Sequence, residues 1–239
     1  MSRIENEVNH GKYLVANPEV YWGWSGEAGR TRLERRAKML STDLSGKVLE
    51  IGCGSGLFTA ELIKTKFNLI SIDISPDLLQ LARQALPDRN KVDFRLEDIH
   101  ATSFTKESFD AVIGSSVLHH LDLDLALKEI YRILKPGGTI RFTEPNSLNP
   151  QIAIQKSHPA VRKMFHESPD ETAFLRWKLK RDLLMHGFSE INIINFDFLH
   201  PKTPKPFIEI MAKGTLFLEK IPVLKEISGS LFISAKKRI

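Results

Sequence analysis

The chain of 239 residues contains one cysteine, Cys53. That excludes an internal disulfide framework and a cysteine-rich zinc site. No uninterrupted apolar run approaches the roughly 18 residues needed to cross a bilayer. The opening, Met1-Ser-Arg-Ile-Glu-Asn-Glu7, carries acids where a secretion signal needs an apolar core, so the expectation is a soluble cytoplasmic protein. Internal repeats and low-complexity linkers are missing as well. The net charge of +5 is modest and spread along the chain, which reads as a solvated surface more than as a nucleic-acid or anionic-membrane footprint. What is present is ordinary for a globular protein: 42% hydrophobic and 26% charged residues, enough for one sizeable core.

Residues 1–45 differ in kind from the rest and read as a helical and aromatic lid segment. They hold Tyr13, Tyr21, Trp22 and Trp24, then a basic stretch from Gly29 to Leu40. Leu33, Ala37 and Leu40 in that stretch share one helix face. From residue 46 strands and helices alternate. Candidate strands are Lys47–Ile51, Leu69–Asp73, Val92–Leu96, Phe109–Gly114 and Thr139–Glu144. Helices are expected at Leu57–Thr65, Pro76–Ala85 and Asp122–Leu134. Ser75-Pro76 supplies an N-cap and a first-turn proline, and Lys135-Pro-Gly-Gly138 is a stop and a turn. Alternation of this kind implies βαβ units, a parallel sheet and helices on both faces. The end breaks the rhythm: a helix over Ala173–His186, a strand over Glu190–Phe198, a proline-marked loop, an apolar insert over Phe207–Ile227 and a last strand over Ser230–Ala235. A closing hairpin around an insert fits this better than another crossover.

Open α/β sheets bind ligands at the carboxyl ends of their strands. After the first strand comes Glu50-Ile-Gly-Cys-Gly-Ser-Gly56, after the second Asp73-Ile74, after the third Glu97-Asp98-Ile99, after the fourth Gly114-Ser115 and after the fifth Glu144. A dinucleotide site wants G-x-G-x-x-G, but starting from Gly52 the third glycine falls on Leu57. Asp73, 21 residues beyond Gly52, can accept from a ribose diol, and its charge would repel a 2′-phosphate. The Glu97-Asp98 pair can accept from an exocyclic amine, as adenine presents. The ligand therefore reads as an adenosine with a non-phosphate appendage at the glycine loop.

On these residues the chain resembles the class I S-adenosylmethionine-dependent methyltransferases, in particular the type 11 group that includes ubiquinone- and menaquinone-biosynthesis-like small-molecule enzymes. The resemblance is dense over residues 46–145. It rests on Glu50–Gly56, Asp73, Asp98-Ile99, Phe109–Leu121 and Leu134–Gly138 in register. It implies a Rossmann-like three-layer α/β sandwich with a seven-stranded, mostly parallel sheet and an antiparallel last strand. The catalytic domain would be residues 46–239, with cover segments at 145–171 and 201–227. It implies S-adenosyl-L-methionine as cofactor and S-adenosyl-L-homocysteine as product. By position, Glu50, Gly52, Cys53 and Gly54 would line the methionine portion. Asp73 would hold the ribose with Ile74 on adenine, Asp98 and Ile99 would meet the adenine amine, and Gly114 and Ser115 the methionyl amine. An arginine such as Arg30 would sit on the cofactor carboxylate, with Tyr21 or Trp24 closing over it; the competing reading of Arg30, Arg32, Arg35 and Arg36 is a solvated basic face.

A sulfonium methyl is already activated, so the protein mainly holds donor and acceptor in line and excludes water. An oxygen or carbon acceptor also needs a base. His119, His120 and Glu144 are the candidates, with His158, His166 and His200 in segments expected to cover the site. A histidine at this place in the resembling enzymes commonly orients the loop, so a structural role competes. Adjacent histidines suggest a metal, but no third ligand has suitable spacing and none is expected. Cys53 reads as space-filling. The apolar insert favours a small-molecule acceptor that is apolar or lipid-linked, a peripheral membrane contact or a dimer interface, against plain packing on the sheet. Monomer and homodimer both stay open. An enzyme acting on RNA or protein, with nucleic acid disfavoured, and a non-catalytic cofactor-binding regulator are the alternatives; a nicotinamide oxidoreductase is set aside by Leu57.

Overall fold

A computed structural model describes residues 3–17, 24, 26–86, 91–157, 161–162, 168 and 171–239. The centre is a seven-stranded sheet in the order β3-β2-β1-β4-β5-β7-β6. The strands are β1 (Lys47–Ile51), β2 (Asn68–Asp73), β3 (Val92–Leu96), β4 (Phe109–Ser115), β5 (Leu134–Pro145), β6 (Phe188–Phe196) and β7 (Ser230–Lys237). The first five pair in parallel. β7 lies antiparallel between β5 and β6. The expected sandwich with an antiparallel last strand is what the chain forms.

Alternating side chains feed two apolar layers, as the two-residue period of a strand requires. Leu49 and Ile51 of β1 join one layer, with Leu127 and Ile130 of α5 (Leu123–Ile133) and Leu179 and Leu183 of α7 (Arg176–Met185). Val48 joins the other, with Leu62 of α3 (Leu57–Leu62), Leu69, Ala111 and Ile113. Parallel strands buried on both faces are apolar almost throughout, which is why they stand out in the sequence. α4 (Pro76–Ala85) starts as expected: Ser75 Oγ accepts from the Leu78 N–H at 3.3 Å and Pro76 holds the first turn. Asp122 caps α5 in the same way through the N–H groups of Asp124 and Leu125.

Differences from the sequence reading have local causes. β5 begins at Leu134, and Lys135–Gly138 form an irregularity that shifts its register on β4. β6 starts at Phe188 because Gly187, at φ 88°, turns the chain straight out of α7, and it stops at Phe196 because Asp197 has φ 76°. The N-terminal segment carries a helix that the sequence analysis did not place, α1 (Arg3–Ala16), ahead of α2 (Glu27–Ser41). Gly11 interrupts the helical pattern of α1; its bare backbone sits where an added Cβ would lie 2.4 Å from Ser75 Oγ. α6 (Pro150–Ser157) and α8 (Ile208–Leu218) fall within residues 145–171 and 201–227, the segments expected to cover the site. No helix among the described residues is long and apolar enough to cross a membrane.

Two glycines fix the distance between β1 and the turn after β4. A Cβ on Gly52, at φ 65°, would lie 2.4 Å from Val117 Cγ2. One on Gly114 would lie 2.7 Å from Val117 Cγ1 and 3.1 Å from the Ile51 carbonyl. Gly114→Ala is expected to destabilise the fold by about 1–3 kcal/mol, the usual cost of overpacking. A urea titration with an unchanged midpoint would show that this turn is looser than its contacts state.

Candidate active site

At the carboxyl ends of β1 and β2, one carboxylate ties two loops together. Asp73 Oδ2 accepts from the Gly54 N–H and Oδ1 from the Ser75 N–H, each at 2.8 Å. The Cys53 N–H donates to the Ile72 carbonyl at 3.1 Å and the Gly56 N–H to the Cys53 carbonyl at 2.9 Å, so the glycine turn is held at both ends. Gly54, at φ 54°, is open on its Cβ side, with no atom within 4 Å. The loop thus presents bare backbone beside a carboxylate that is only 9% exposed. Burial raises the Asp73 carboxyl, and the two N–H groups only partly offset this. Ile74 is half-buried at the same edge.

Glu50 is 3% exposed and acts as a brace: Oε2 accepts from Thr59 Oγ1 of α3 and Ser71 Oγ of β2, both at 2.7 Å. Burial pushes it up to about 7. Cys53 is buried, and its thiol is pushed well above the usual range by burial and by the Asp73 and Glu50 charges, which fits space-filling and not nucleophilic chemistry. Past β3, Asp98 Oδ1 accepts from the His100 backbone N–H at 2.9 Å and lies 2.6 Å from His100 Nδ1, while Ile99 is buried. Past β4, Ser115 Oγ meets Thr143 Oγ1 at 2.8 Å and Ser116 takes the left-handed conformation at φ 56°.

Glu144 organises the far side. It is fully buried and accepts from the N–H groups of Val117 and Leu118 at 3.0 and 2.8 Å. Its Oε2 lies 2.7 Å from His119 Nδ1. Burial pushes Glu144 up to about 7 and holds His119 well below its ordinary value, so the ring is neutral and one proton lies in the contact between Nδ1 and the Glu144 carboxyl. His120 pairs instead with Glu7 of α1, at 3.0 Å. Burial pulls His120 down, but the Glu7, Glu171 and Glu144 charges outweigh it and the ring is raised.

The three candidate bases therefore meet in one buried cluster, joined by residues with no local signal. Glu171 places its carboxylate 3.9 Å from His119 Nε2 and 4.0 Å from His120 Nδ1. It supplies the third metal-ligand group that sequence spacing did not offer: His119, His120 and Glu171 have ligand atoms within 4.8 Å of one another. The cluster's charges are already answered by protein groups. Lys156 Nζ is 2.5 Å from Glu171, the Ser168 N–H donates to Glu171 at 2.7 Å, and Glu7 faces His120. Arg3 of α1 donates to the carbonyls of His120 and Leu121. α1 thereby closes over the ends of β2 and β4.

The four arginines divide. Arg30 is exposed. Arg35 makes a two-point pair with Glu219 at 2.7 and 2.6 Å. Arg32 and Arg36 share Asp197 Oδ2 at 2.9 and 2.7 Å. Arg36, 2% exposed, is the inward guanidinium, and burial draws it down to about 10 despite Asp197. Trp24 stacks above Arg32 and Arg36 at 5.1 and 5.3 Å and meets Phe58 edge-on at 5.3 Å, next to the glycine loop. Tyr21, His158 and His166 lie outside the described residues. His200 is on the rim, 3.5 Å from Gln151.

The chain also resembles known proteins. Residues 49–142 match the family model described as "Methyltransferase domain". An uncharacterized methyltransferase-like protein of Schizosaccharomyces pombe is 28% identical over 75% of this chain and 68% of its own length. Demethylmenaquinone methyltransferase of Lactococcus lactis is 33% identical over 53% of this chain and 49% of its own. Ubiquinone biosynthesis O-methyltransferase of Xanthomonas oryzae is 33% identical over 47% and 48%. The chain spans about half the length of these last two relatives. Among solved structures, phosphoethanolamine N-methyltransferase 2 of Haemonchus contortus, in complex with S-adenosyl-L-methionine, superposes with a TM-score of 0.71 at 17% identity, over 100% of this chain and 60% of that one. The N-methyltransferase NodS of Bradyrhizobium japonicum, in complex with S-adenosyl-L-homocysteine, gives 0.66 at 18%, over 97% and 98%.

The Glu7–His120 clasp makes closure of α1 depend on pH. His120 is raised above 6.5, so its contribution is complete below about 6.5 and is lost as pH climbs through the folded-state value. Glu7 is lowered below 4.5, as His120 outweighs burial, so its contribution is present above about 4.5 and lost as pH falls through its folded-state value. Amide exchange in residues 3–16, corrected for intrinsic rate, should be slowest between about 4.5 and 6.5 and accelerate towards alkaline pH. His120→Gln should flatten that profile. A flat wild-type profile would show that α1 is held by other contacts.

Proposed function

We propose that this chain, a methyltransferase by the match over residues 49–142, binds S-adenosylmethionine across the glycine loop and passes its methyl group to a small-molecule acceptor that is apolar or lipid-linked. The observation that carries the reading is the open face of Gly54 next to the buried Asp73 carboxylate. That pairing fits the cofactor: bare backbone for the amino-acid portion, and a fixed acceptor with remaining lone pairs for two ribose hydroxyls. Asp98, with Ile74 and Ile99 as apolar walls, suits an adenine ring. Gly114 and Ser115 would meet the amino-acid end, and the inward Arg36 beneath Trp24, in place of the exposed Arg30, would serve its carboxylate.

When bound, S-adenosylmethionine supplies a methyl group activated by its sulfonium. The protein's share is placement. The Asp73 and Glu50 braces hold the loop, so little reorganisation is needed when the ligand arrives. α1 covers the strand ends and excludes water. His119 and Glu144, joined through Nδ1 and with the carboxyl near 7, form a pair that can take up a proton at neutral pH. An acceptor hydroxyl or acidic carbon would use this pair. The small-molecule reading draws on the relatives named for quinones and on the apolar insert beside the site.

Calorimetry should find S-adenosylhomocysteine binding, and Asp73→Ala should weaken it by about 1–3 kcal/mol, the scale of a lost charged hydrogen bond. Tight NAD binding with none of the sulfonium ligand would refute the cofactor. A labelled-methyl transfer assay on fractionated extract should label a small organic-soluble product, and His119→Gln should slow it by about 10²-fold or more if the ring is the base. Label in RNA or protein would redirect the acceptor, and binding without turnover would leave a regulatory protein.

A further inference from the structure

The stretch between β6 and β7 is held rigidly by its polar side while its apolar side faces outward. Glu219 accepts from Arg35 at two points and from the Asp197 N–H at 2.8 Å. Thr215 is buried. Asn146 and Asn149 donate to the carbonyls of Glu226 and Ile227, each at 2.8 Å, and Arg176 pairs with Glu226 at 3.2 Å. With that side fixed, Phe207 just ahead of α8 (57% exposed), Ile210 (67%) and Phe217 (65%) on it and Val223 (79%) in the turn after it project outward. Met211, Leu216, Leu224 and Ile227 of the same stretch are exposed as well. An apolar surface this dense and this well tethered marks a contact, not a loose loop.

The charges around it indicate what it contacts. Lys202, Lys205, Lys213 and Lys220 of the same stretch are exposed, Lys205 pairing with Glu27 of α2 at 2.6 Å and Lys202 and Lys220 carrying no ion pair among the described residues. Of the acids in the stretch, Glu219 and Glu226 are turned inward onto Arg35 and Arg176, leaving Glu209 outside beside Lys213. The outward surface is therefore apolar with a net positive border. A second copy of the same face would set lysine against lysine, whereas a bilayer with anionic headgroups meets both features at once.

We propose that α8 and residues 219–227 form a peripheral docking surface for a membrane carrying anionic lipids. The aromatic and aliphatic side chains enter the headgroup–acyl boundary, and the lysines rest on the lipid headgroups. The surface borders the carboxyl edge of β5, where Asn146 and Asn149 hold it. Docking needs neither cofactor nor acceptor and stands independently of the methyl-transfer reading.

Co-sedimentation of the full chain with vesicles of phosphatidylcholine, with and without phosphatidylglycerol, tests this. Binding is expected to vesicles containing phosphatidylglycerol, to fall steeply with added salt, and to drop about tenfold or more in the double variant Ile210→Glu, Phe217→Glu. Circular dichroism and thermal midpoint should be unchanged in that variant, because both side chains are exposed. Lys205→Glu with Lys213→Glu should remove the preference for anionic lipid while leaving the fold intact. The proposal is overturned by absence of vesicle binding, by equal binding to phosphatidylcholine alone, or by binding that the substitutions do not alter. It is also overturned if sedimentation equilibrium shows a dimer that Ile210→Glu, Phe217→Glu converts to monomer without any loss of vesicle binding.

Discussion

Buried Glu144 is the group on which the arrangement at the strand ends depends. One of its oxygens takes two successive backbone N–H groups and the other takes the His119 ring, so the turn after β4 has one conformation. That turn places Val117 against Gly52 and Gly114, which sets how closely the glycine loop and β4 approach. It also presents His120 to Glu7, which draws α1 across the site. Without the carboxylate, two buried N–H donors would lose their partner, each at a cost of about 1–3 kcal/mol. Cover, loop and candidate base are thus tied to one turn by an ion pair, by packing and by hydrogen bonds respectively.

Carboxylates recur in this region, and three of them, Glu50, Asp73 and Glu144, are raised by burial. Each nonetheless accepts from two hydroxyl or backbone donors. Buried acids of this kind make poor contributors to stability and good fixed acceptors. Their placement towards the carboxyl ends of three parallel strands, β1, β2 and β5, gives a polar edge on an otherwise apolar sheet. On the other flank the Arg32–Arg36–Asp197 group brings positive charge close to the same edge, beneath Trp24. A ligand spanning the two flanks would find acceptors at one end and guanidinium groups at the other.

Much of this was legible in the sequence because it is local. Asp73, Asp98 and Ser115 lie at the ends of strands whose apolar runs mark them, and the glycine loop follows its strand directly. The cap at Ser75-Pro76 and the turn at Lys135–Gly138 carry their signals within four residues. What was not legible is what distant segments bring together. Glu7 and Glu171 have no motif; they matter because α1 and the segment after α6 fold back on His119 and His120. Arg30 and Arg36 look alike in a basic helix, and only packing on Thr143, Ser230 and Asp197 separates the inward one from the solvated one. α1 itself was obscured by Gly11, whose purpose is close contact with Ser75 and not helix formation.

The reversed direction of β7 has its own consequence. Because β7 runs against β5 and β6, the connection from β6 to β7 returns at the edge where the other strands end in functional loops. A parallel crossover must carry the chain back across the length of the sheet, but this one connection need only leave and re-enter at neighbouring points. Lengthening such a loop raises its closure cost only logarithmically, by about 0.6 kcal/mol per doubling. The hairpin end is therefore where this architecture can exchange one attachment for another, changing what the protein encounters without altering how its sheet is built.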